Sequence, residues 1–150
     1  MTTIDELDRK ILQVIQGDGR ISNTDLAERV GLSPSACLRR VQELERTKAI
    51  EGYRAIISAE ARDVGFVAYV SVGLSKHTKE QQRAFEAAIK RAPEVRECHN
   101  VTGAIEYFLR VETRDLAAFK HFHTDTLGQL PQVATITSYI VMESPKDERA

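Results

Sequence analysis

Two short helical patterns separated by a glycine turn constrain the fold of this chain more than any other feature of its sequence. The first pattern opens with Ser22 and Asp25, which have the S-x-x-D spacing of a capping box. It ends at Gly31. Ser33 and Pro34 then start a second helix, since serine caps helices and proline is favoured at their first position. Two helices joined by so short a turn predict a helix-turn-helix motif.

A further helix precedes this motif, and a short β-rich segment follows it. Apolar residues recur at helical spacing over residues 7–15, with Asp5 or Asp8 as the cap and Gly17-Asp18-Gly19 as the end of the helix. Residues 50–57 combine β-forming side chains with a glycine, which favours a short hairpin or wing. The N-terminal third is therefore predicted to be a winged helix-turn-helix domain.

The periodicity changes from residue 66 onwards, where strand and helix patterns alternate. Strands are predicted over residues 66–74, 95–101, 105–111 and 133–142, and helices over 79–92 and from Asp115, the second carrying Leu116, Phe119, Phe122 and Leu127. This βαββαβ order is that of the ferredoxin-like fold and makes the chain an α+β protein. Helices on one face of such a sheet leave its other face uncovered, so we expect a homodimer in which a second copy covers it.

These patterns divide the chain into four parts. We predict a winged helix-turn-helix domain over residues 1–54, a linker over 55–65, a βαββαβ domain over 66–144 and a tail over 145–150.

The helix that begins after Ser33 carries different side chains on its two sides. At about 100° per residue, Cys37, Leu38, Val41 and Leu44 converge on the side that we expect to pack in the core. The exposed tip keeps small, hydroxylic and arginine side chains, which suit a DNA major groove only about 12 Å wide. The predicted DNA-binding residues are Ser33, Ser35, Ala36, Arg39, Arg40 and, in the wing, Arg54. Arg39 is expected to read bases, because arginine pairs with guanine, whereas the other two arginines are expected to bind phosphates.

The charge of the chain does not by itself indicate DNA binding. The formal net charge is −1, and the nine basic side chains of residues 1–54 are balanced by nine acidic ones. One such domain is expected to bind DNA weakly, because phosphate neutralisation supplies much of the affinity, and pairing of domains in an oligomer would offset this. The alternative, that Arg39 and Arg40 only solvate a helix face, stays open at this point.

Nothing in the sequence predicts catalysis, a metal site or a cofactor. Cys98 and His99 are adjacent on a predicted strand and face opposite sides of it, and His121 and His123 lie roughly 200° apart on a helix. The two cysteines form no CxxC pair, the first residues are polar, and no apolar run approaches the roughly 20 residues that span a membrane. We therefore expect a cytoplasmic protein that is not an enzyme and has no membrane partner.

The order and spacing of many short motifs resemble those of the Lrp/AsnC family of transcription regulators, over nearly the whole chain. These motifs are Leu7-Asp8-Arg9-Lys10-Ile11-Leu12, Asp18-Gly19-Arg20, Leu26-Ala27, Val30-Gly31-Leu32-Ser33, Leu38-Arg39-Arg40-Val41, Leu44-Glu45, Ile50-Glu51-Gly52-Tyr53, Val101-Thr102-Gly103 and Ser138-Tyr139-Ile140-Val141-Met142-Glu143. The resemblance implies a sequence-specific regulator of transcription that binds double-stranded DNA. It also implies that the βαββαβ part is an effector domain, called RAM, through which dimers form and assemble into octamers.

The resemblance further implies a small-molecule effector, a free amino acid, bound between dimers. The positions that match the effector site of the family are Thr102, Gly103, Ala104, Glu106, Ser138 and Tyr139. The chain departs from the family at two places. Lys48 stands where the family has a glycine after the recognition helix, and Ala104 stands where an acidic residue is usual.

Two other functions fit the same two-domain plan. Sirohaem decarboxylases resemble it, and such an enzyme would need basic groups and histidines around a tetrapyrrole, whereas the four histidines here are scattered. An amino-acid sensor whose N-terminal domain binds protein is the other alternative, and the neutral charge of residues 1–54 is compatible with it.

Overall fold

A computed structural model describes residues 3–148 of the chain, which form two compact units divided between Ile56 and Ile57. The first unit contains three helices: α1 (Glu6–Gly17), α2 (Asn23–Val30) and α3 (Pro34–Arg46). They pack around an apolar core made of Ile11, Leu26, Ala27, Val30, Cys37, Leu44 and Ile50.

Each of these helices begins at a side-chain cap that the sequence predicts. The carboxylate of Asp5 accepts the backbone N–H of Asp8 and completes a reciprocal capping box, while Ser22 and Ser33 cap α2 and α3. Such caps satisfy amide groups that the first turn of a helix leaves without partners. Gly31 ends α2 in the left-handed conformation, with φ of 72°. The helix-turn-helix prediction is therefore confirmed.

The segment after α3 differs from the predicted hairpin, because residues 51–58 form neither a strand nor a helix. Tyr53 attaches this segment to the first unit: its hydroxyl donates to the carboxylate of Glu45 (2.9 Å), and its ring lies against Gly19. The predicted linker 55–65 is shared between the two units, since the division falls after Ile56.

One apolar residue of α3 was assigned to the wrong side of the helix. Leu38 is 46% exposed, whereas Cys37 and Leu44 are buried. The reason is geometric: consecutive residues are about 100° apart around a helix, so Leu38 lies beyond the sector centred on Cys37 that the other helices cover.

Lys48 follows α3 in the left-handed region, with φ of 62°. This conformation costs a residue with a side chain about 1–2 kcal/mol, while glycine loses about 0.4–1 kcal/mol more backbone entropy on folding. Lys48→Gly is therefore expected to raise the free energy of unfolding by about 0.5–1 kcal/mol in urea titrations followed by circular dichroism. Gly31→Ala, where nothing crowds the added methyl group, is the matched control and should destabilise. If Lys48→Gly were no more stable than the wild type, the left-handed conformation of Lys48 would not be strained.

The second unit is a four-stranded antiparallel sheet with helices on one face. Its elements are β1 (Phe66–Leu74), α4 (Lys79–Lys90), β2 (Val95–Asn100), β3 (Tyr107–Thr113), α5 (Leu116–His121) and β4 (Val133–Ile140). A π-helical turn (Phe122–Thr126) and a 3₁₀ turn (Leu127–Gln129) extend α5. The strand order is β2-β3-β1-β4, so the predicted ferredoxin-like α+β fold is confirmed.

The core of this unit lies between the sheet and its helices. Strands β1 and β3 contribute alternate residues, and α4, α5 and the turns after it contribute Phe85, Ile89, Phe119, Phe122 and Leu127. Leu116 is 63% exposed and is not part of this core. At helical spacing it lies about 120° from Phe122, and the packed side of the helix is centred on the aromatic residues.

The other face of the sheet carries aromatic and charged side chains. Tyr69, Phe108 and Tyr139 stack across β1, β3 and β4, with ring centroids 5.9 and 6.4 Å apart. Beside them, Arg110 donates to the hydroxyl of Tyr69 (2.8 Å) and to the carboxylate of Glu112 (3.1 Å). We call this surface, with these five residues on it, the open sheet face.

Candidate DNA-binding surface and ligand site

The start of α3 presents a narrow tip. Ser33 caps the helix by accepting the backbone N–H of Ala36 (3.3 Å), and its hydroxyl lies 3.4 Å from that of Ser35. Both serines are exposed, and Ala36 is half-buried. The side-chain amide of Asn23 donates to the carbonyl oxygen of Pro34 (2.8 Å) and thereby connects the start of α2 to the start of α3, a contact that no sequence pattern predicts. The tip is thus both small and held in place.

The two adjacent arginines of α3 have different surroundings. Arg39 is exposed, on the same side of the helix as Ser35, and makes no hydrogen bond or ion pair to any residue between 3 and 148. Arg40 instead binds two carboxylates of α1, those of Asp5 (2.7 Å) and Asp8 (2.9 Å). Arg39 is therefore available to a ligand, whereas the guanidinium of Arg40 is already engaged inside the unit.

The contact between Arg40 and α1 also perturbs an ionisation equilibrium. The pKa of the Asp5 carboxyl is lowered, first by the backbone N–H of Asp8 that it accepts and then by the guanidinium of Arg40. A lowered pKa means that the folded domain favours the ionised form, so this contribution to stability is present above the unfolded pKa and is lost as the pH falls through the lowered value. The contact is therefore fully formed at neutral pH.

Arg54, the sixth predicted DNA-binding residue, is exposed in the irregular segment that follows α3. It directly follows Tyr53, whose hydrogen bond to Glu45 attaches this segment to the C-terminal half of α3. Arg54 makes no hydrogen bond or ion pair within the described part of the chain.

The predicted effector residues of the second unit begin at the turn between β2 and β3. Thr102, Gly103 and Ala104 are exposed at this turn, where Gly103 has a φ of 123°. The backbone of Glu106 closes the turn, because its carbonyl oxygen accepts both the N–H of Val101 (2.9 Å) and the side-chain amide of Asn100 (3.1 Å). The turn therefore occupies 101–106, and β3 begins two residues later than predicted.

The carboxylate of Glu106 connects the turn to the end of β1. One oxygen accepts the backbone N–H of Leu74 (2.6 Å), and the other lies 2.6 Å from Nδ1 of His77. A methyl group at Gly73 would lie 2.3 Å from the hydroxyl of Thr135 and 3.7 Å from the carboxylate of Glu106. Neither His77 nor Gly73 nor Thr135 was predicted from the sequence to belong to this site. A glycine inside a strand, which marks close approach of a neighbour, was the available signal.

The last two predicted effector residues, Ser138 and Tyr139, are neighbours on β4. Ser138 pairs with Val70 and Tyr139 pairs with Tyr69, so the two side chains lie on opposite faces of the sheet. Tyr139 belongs to the open sheet face, whereas the hydroxyl of Ser138 is buried on the helix side and makes no hydrogen bond to any described residue. Within one protomer the two predicted effector residues therefore face opposite sides of the sheet.

The structure shows no metal-binding cluster within residues 3–148. No three His, Cys, Asp or Glu side chains of this range come together as metal ligands. Cys98 pairs with Leu109 and His99 with Phe108, so they face opposite sides of the sheet, and His121 contacts Asp125 and not His123. In the same range, no helix has both the length and the apolar character needed to cross a membrane.

Comparison with known proteins accounts for both units. A model of winged helix-turn-helix DNA-binding domains matches residues 4–51, and a model of the Lrp/AsnC ligand binding domain matches residues 67–150, more than half of the chain. The leucine-responsive regulatory protein of Salmonella typhimurium is 39% identical over 143 residues, which cover 95% of this chain and 87% of that protein.

Solved structures resemble the whole chain. A transcriptional regulator of Neisseria meningitidis, in complex with L-methionine, has a TM-score of 0.92 and 39% identity and covers 97% of this chain and 94% of its own. An AsnC family transcriptional regulator from Agrobacterium tumefaciens has a TM-score of 0.90 and 31% identity, with 95% and 93% covered. All three of these proteins carry the names of regulators, and nothing favours the enzyme alternative. The chain therefore belongs to the Lrp/AsnC family of DNA-binding transcription regulators.

Proposed function

We propose that the tip of α3 binds operator DNA in the major groove. The observation that carries this proposal is the contrast at the tip: small side chains at Ser33, Ser35 and Ala36 are followed by one exposed, unpaired guanidinium, that of Arg39. Serine hydroxyls bind phosphates, and arginine reads guanine through two hydrogen bonds. Arg54 contributes a phosphate contact from the segment after α3.

With this proposal, each part of the chain is assigned a role. Residues 1–54 bind DNA, 55–65 link the domains, 66–144 bind the effector and oligomerise, and 145–150 form a tail. Residues 1, 2, 149 and 150 lie outside the described residues. Within the described part of the tail, Asp147 lies 3.8 Å from Arg110 of the open sheet face.

The test of DNA binding is a titration of the full chain with duplexes from its own promoter, at several salt concentrations. We expect the promoter duplex to bind about 10³-fold or more tightly than an unrelated duplex of equal length, as specific regulators do. Equal affinity for both duplexes would reject sequence-specific recognition. If no duplex bound at all, the alternative of an N-terminal domain that binds protein would take its place.

We further propose that a free amino acid is the effector and binds at the turn 101–106. Support comes from the family, from the L-methionine bound to the Neisseria meningitidis regulator, and from the exposed residues Thr102, Gly103 and Ala104 of the turn. Ala104 supplies no carboxylate, so Glu106 is the acidic group of the turn that faces an amino acid's ammonium group. Because Glu106 already binds Leu74 and His77, the ligand has to share or replace those contacts.

The effector is identified by the thermal stability of the chain in the presence of each of the twenty amino acids. A ligand at about 100 times its dissociation constant stabilises the folded form by about 2.7 kcal/mol. We expect a rise in Tm with one amino acid or a small group of them, and a smaller rise in Glu106→Gln. Identical Tm values with all twenty would contradict an amino-acid effector.

We infer that the open sheet face is covered by a second copy of the chain. Tyr139 of this face is 54% exposed, next to the stacked rings of Phe108 and Tyr69. Exposed apolar patches of this kind mark contact sites between proteins. Dimers assemble further into octamers in this proposal, which sedimentation of the full chain measures directly. A cytoplasmic location, where DNA and free amino acids are both present, completes the proposal.

A further inference from the structure

The engaged arginine of α3 makes a more specific contact than an ordinary surface ion pair. A single nitrogen, Nη1 of Arg40, lies 2.7 Å from Oδ2 of Asp5 and 2.9 Å from Oδ1 of Asp8. Both aspartates are the capping residues of α1. Arg40 therefore connects the middle of the helix that carries the DNA-binding tip to the first turn of another helix.

The four carboxylate oxygens of this contact are all used. Oδ1 of Asp5 accepts the backbone N–H of Asp8 (2.8 Å), and Oδ2 of Asp8 accepts that of Asp5 (3.2 Å). The remaining oxygen of each carboxylate accepts Arg40. The capping box alone fixes the orientation of both carboxylates, so their position does not depend on Arg40, and they form a preorganised receptor for its guanidinium.

Partial burial makes the contact costly to open. The side chain of Asp8 is 13% exposed and that of Arg40 29% exposed. If Arg40 turned outward to a phosphate, a mostly buried carboxylate would lose its cationic partner, and an unpaired buried charge is unfavourable. Arg39, one residue earlier, has no such partner to lose.

We propose that Arg40 is a positioning residue for DNA recognition: it holds α3 against the capped end of α1, and this contact withholds its charge from the DNA backbone. This inference rests on the proposed DNA-binding function. It reverses the sequence-based expectation that Arg40 binds a phosphate. Nonspecific affinity for DNA depends on the number of phosphates that are neutralised. Because Arg40 is paired with Asp5 and Asp8, it neutralises no phosphate, and the affinity of the domain for unrelated DNA is lower.

The salt dependence of DNA binding distinguishes a positioning residue from a phosphate ligand. The logarithm of affinity falls with the logarithm of salt concentration, with a slope of about −0.9 for each phosphate contacted. We expect Arg40→Gln to lower affinity for the promoter duplex about three- to tenfold, which is in the range of the net contribution of one ordinary intramolecular hydrogen bond, while the slope stays that of the wild type. Arg54→Gln is the matched control, and its slope should become shallower by about 0.9 per protomer.

Release of Arg40 gives a second, opposite test. In Asp5→Asn plus Asp8→Asn, the asparagine oxygens still cap α1, but the guanidinium loses both anionic partners. Binding to an unrelated duplex is expected to tighten, and the slope to steepen by about 0.9 per protomer, because Arg40 becomes free to bind phosphate. Adding Arg40→Gln to this variant should abolish the gain in affinity. This result would show that the gain comes from Arg40 and not from the loss of two negative charges.

Two results would overturn the proposal. One is a slope for Arg40→Gln that becomes as shallow as that of Arg54→Gln, since Arg40 would then be a phosphate ligand. The other is a gain in the double asparagine variant that persists in the triple variant. Both readouts are made on variants whose circular dichroism matches the wild type. A wild-type chain that binds no duplex would instead reject the proposed function itself.

Discussion

Glu112→Leu is expected to lower the free energy of unfolding by about 3 kcal/mol, because it leaves a buried arginine without its principal anionic partner. The side chains of Arg110 and Glu112 are 5% and 2% exposed, and Glu112 also pairs with Arg62. Arg110 keeps the hydroxyl of Tyr69 as a hydrogen-bond acceptor, but a neutral hydroxyl does not replace a carboxylate. Urea denaturation followed by circular dichroism at a fixed protein concentration measures the loss.

The matched control removes both charges together. Arg110→Met with Glu112→Leu replaces the pair by apolar side chains of similar volume, a change that is often neutral or stabilising in other proteins. We expect the double variant to be more stable than Glu112→Leu alone. A double variant that loses as much stability as the sum of the two single changes would show that the charges act independently, contrary to the observed geometry.

Arg39→Ala is expected to remove base discrimination at one position of each half-site. A bidentate contact between arginine and guanine contributes about 1–3 kcal/mol of discrimination against other bases. About 1.4 kcal/mol of this corresponds to a tenfold difference in affinity. Arg39 is the exposed guanidinium that follows the small residues of the tip, and it has no partner within the described unit that would hold it back. A set of duplexes that carry each single-base change of the operator measures the preference directly.

Arg29→Ala is the appropriate control for this experiment. Arg29 is also exposed and lies in the last turn of α2, outside α3. It is expected to leave the ranking of the duplexes unchanged. If Arg39→Ala weakened all duplexes by the same factor, Arg39 would be a phosphate contact, and the assignment of base recognition to it would be wrong.

The helix boundaries of the first unit were predictable because the interactions that set them are local. Asp5, Ser22 and Ser33 each bind a backbone N–H three residues later. Gly31 ends α2 through its own backbone conformation. The strand β1 was likewise predicted with its observed ends, since the β-branched and aromatic composition of residues 66–74 contrasts with the segments around it.

The ligand site was only partly predictable, because it depends on strand register. The pattern around Gly103 indicates a turn, but the contact of Glu106 with Leu74 and His77 joins two segments that are about thirty residues apart. The separation of Ser138 from Tyr139 was available in principle, since alternate residues of any strand face opposite sides. The resemblance to the family implies both residues as effector ligands, but the alternation of side chains along β4 places them on opposite faces of the sheet.

The sequence by itself determined the elements and their order, from the caps of α1, α2 and α3 to the βαββαβ plan. The caps arise from contacts three residues apart, and each strand or helix is marked by the periodicity of its own residues, which a linear pattern records. Only the tertiary structure decided which of two adjacent arginines is free. Helical spacing gives the direction of Arg40, but the carboxylates that engage it belong to Asp5 and Asp8, more than thirty residues earlier, and reach it only because α1 packs against α3.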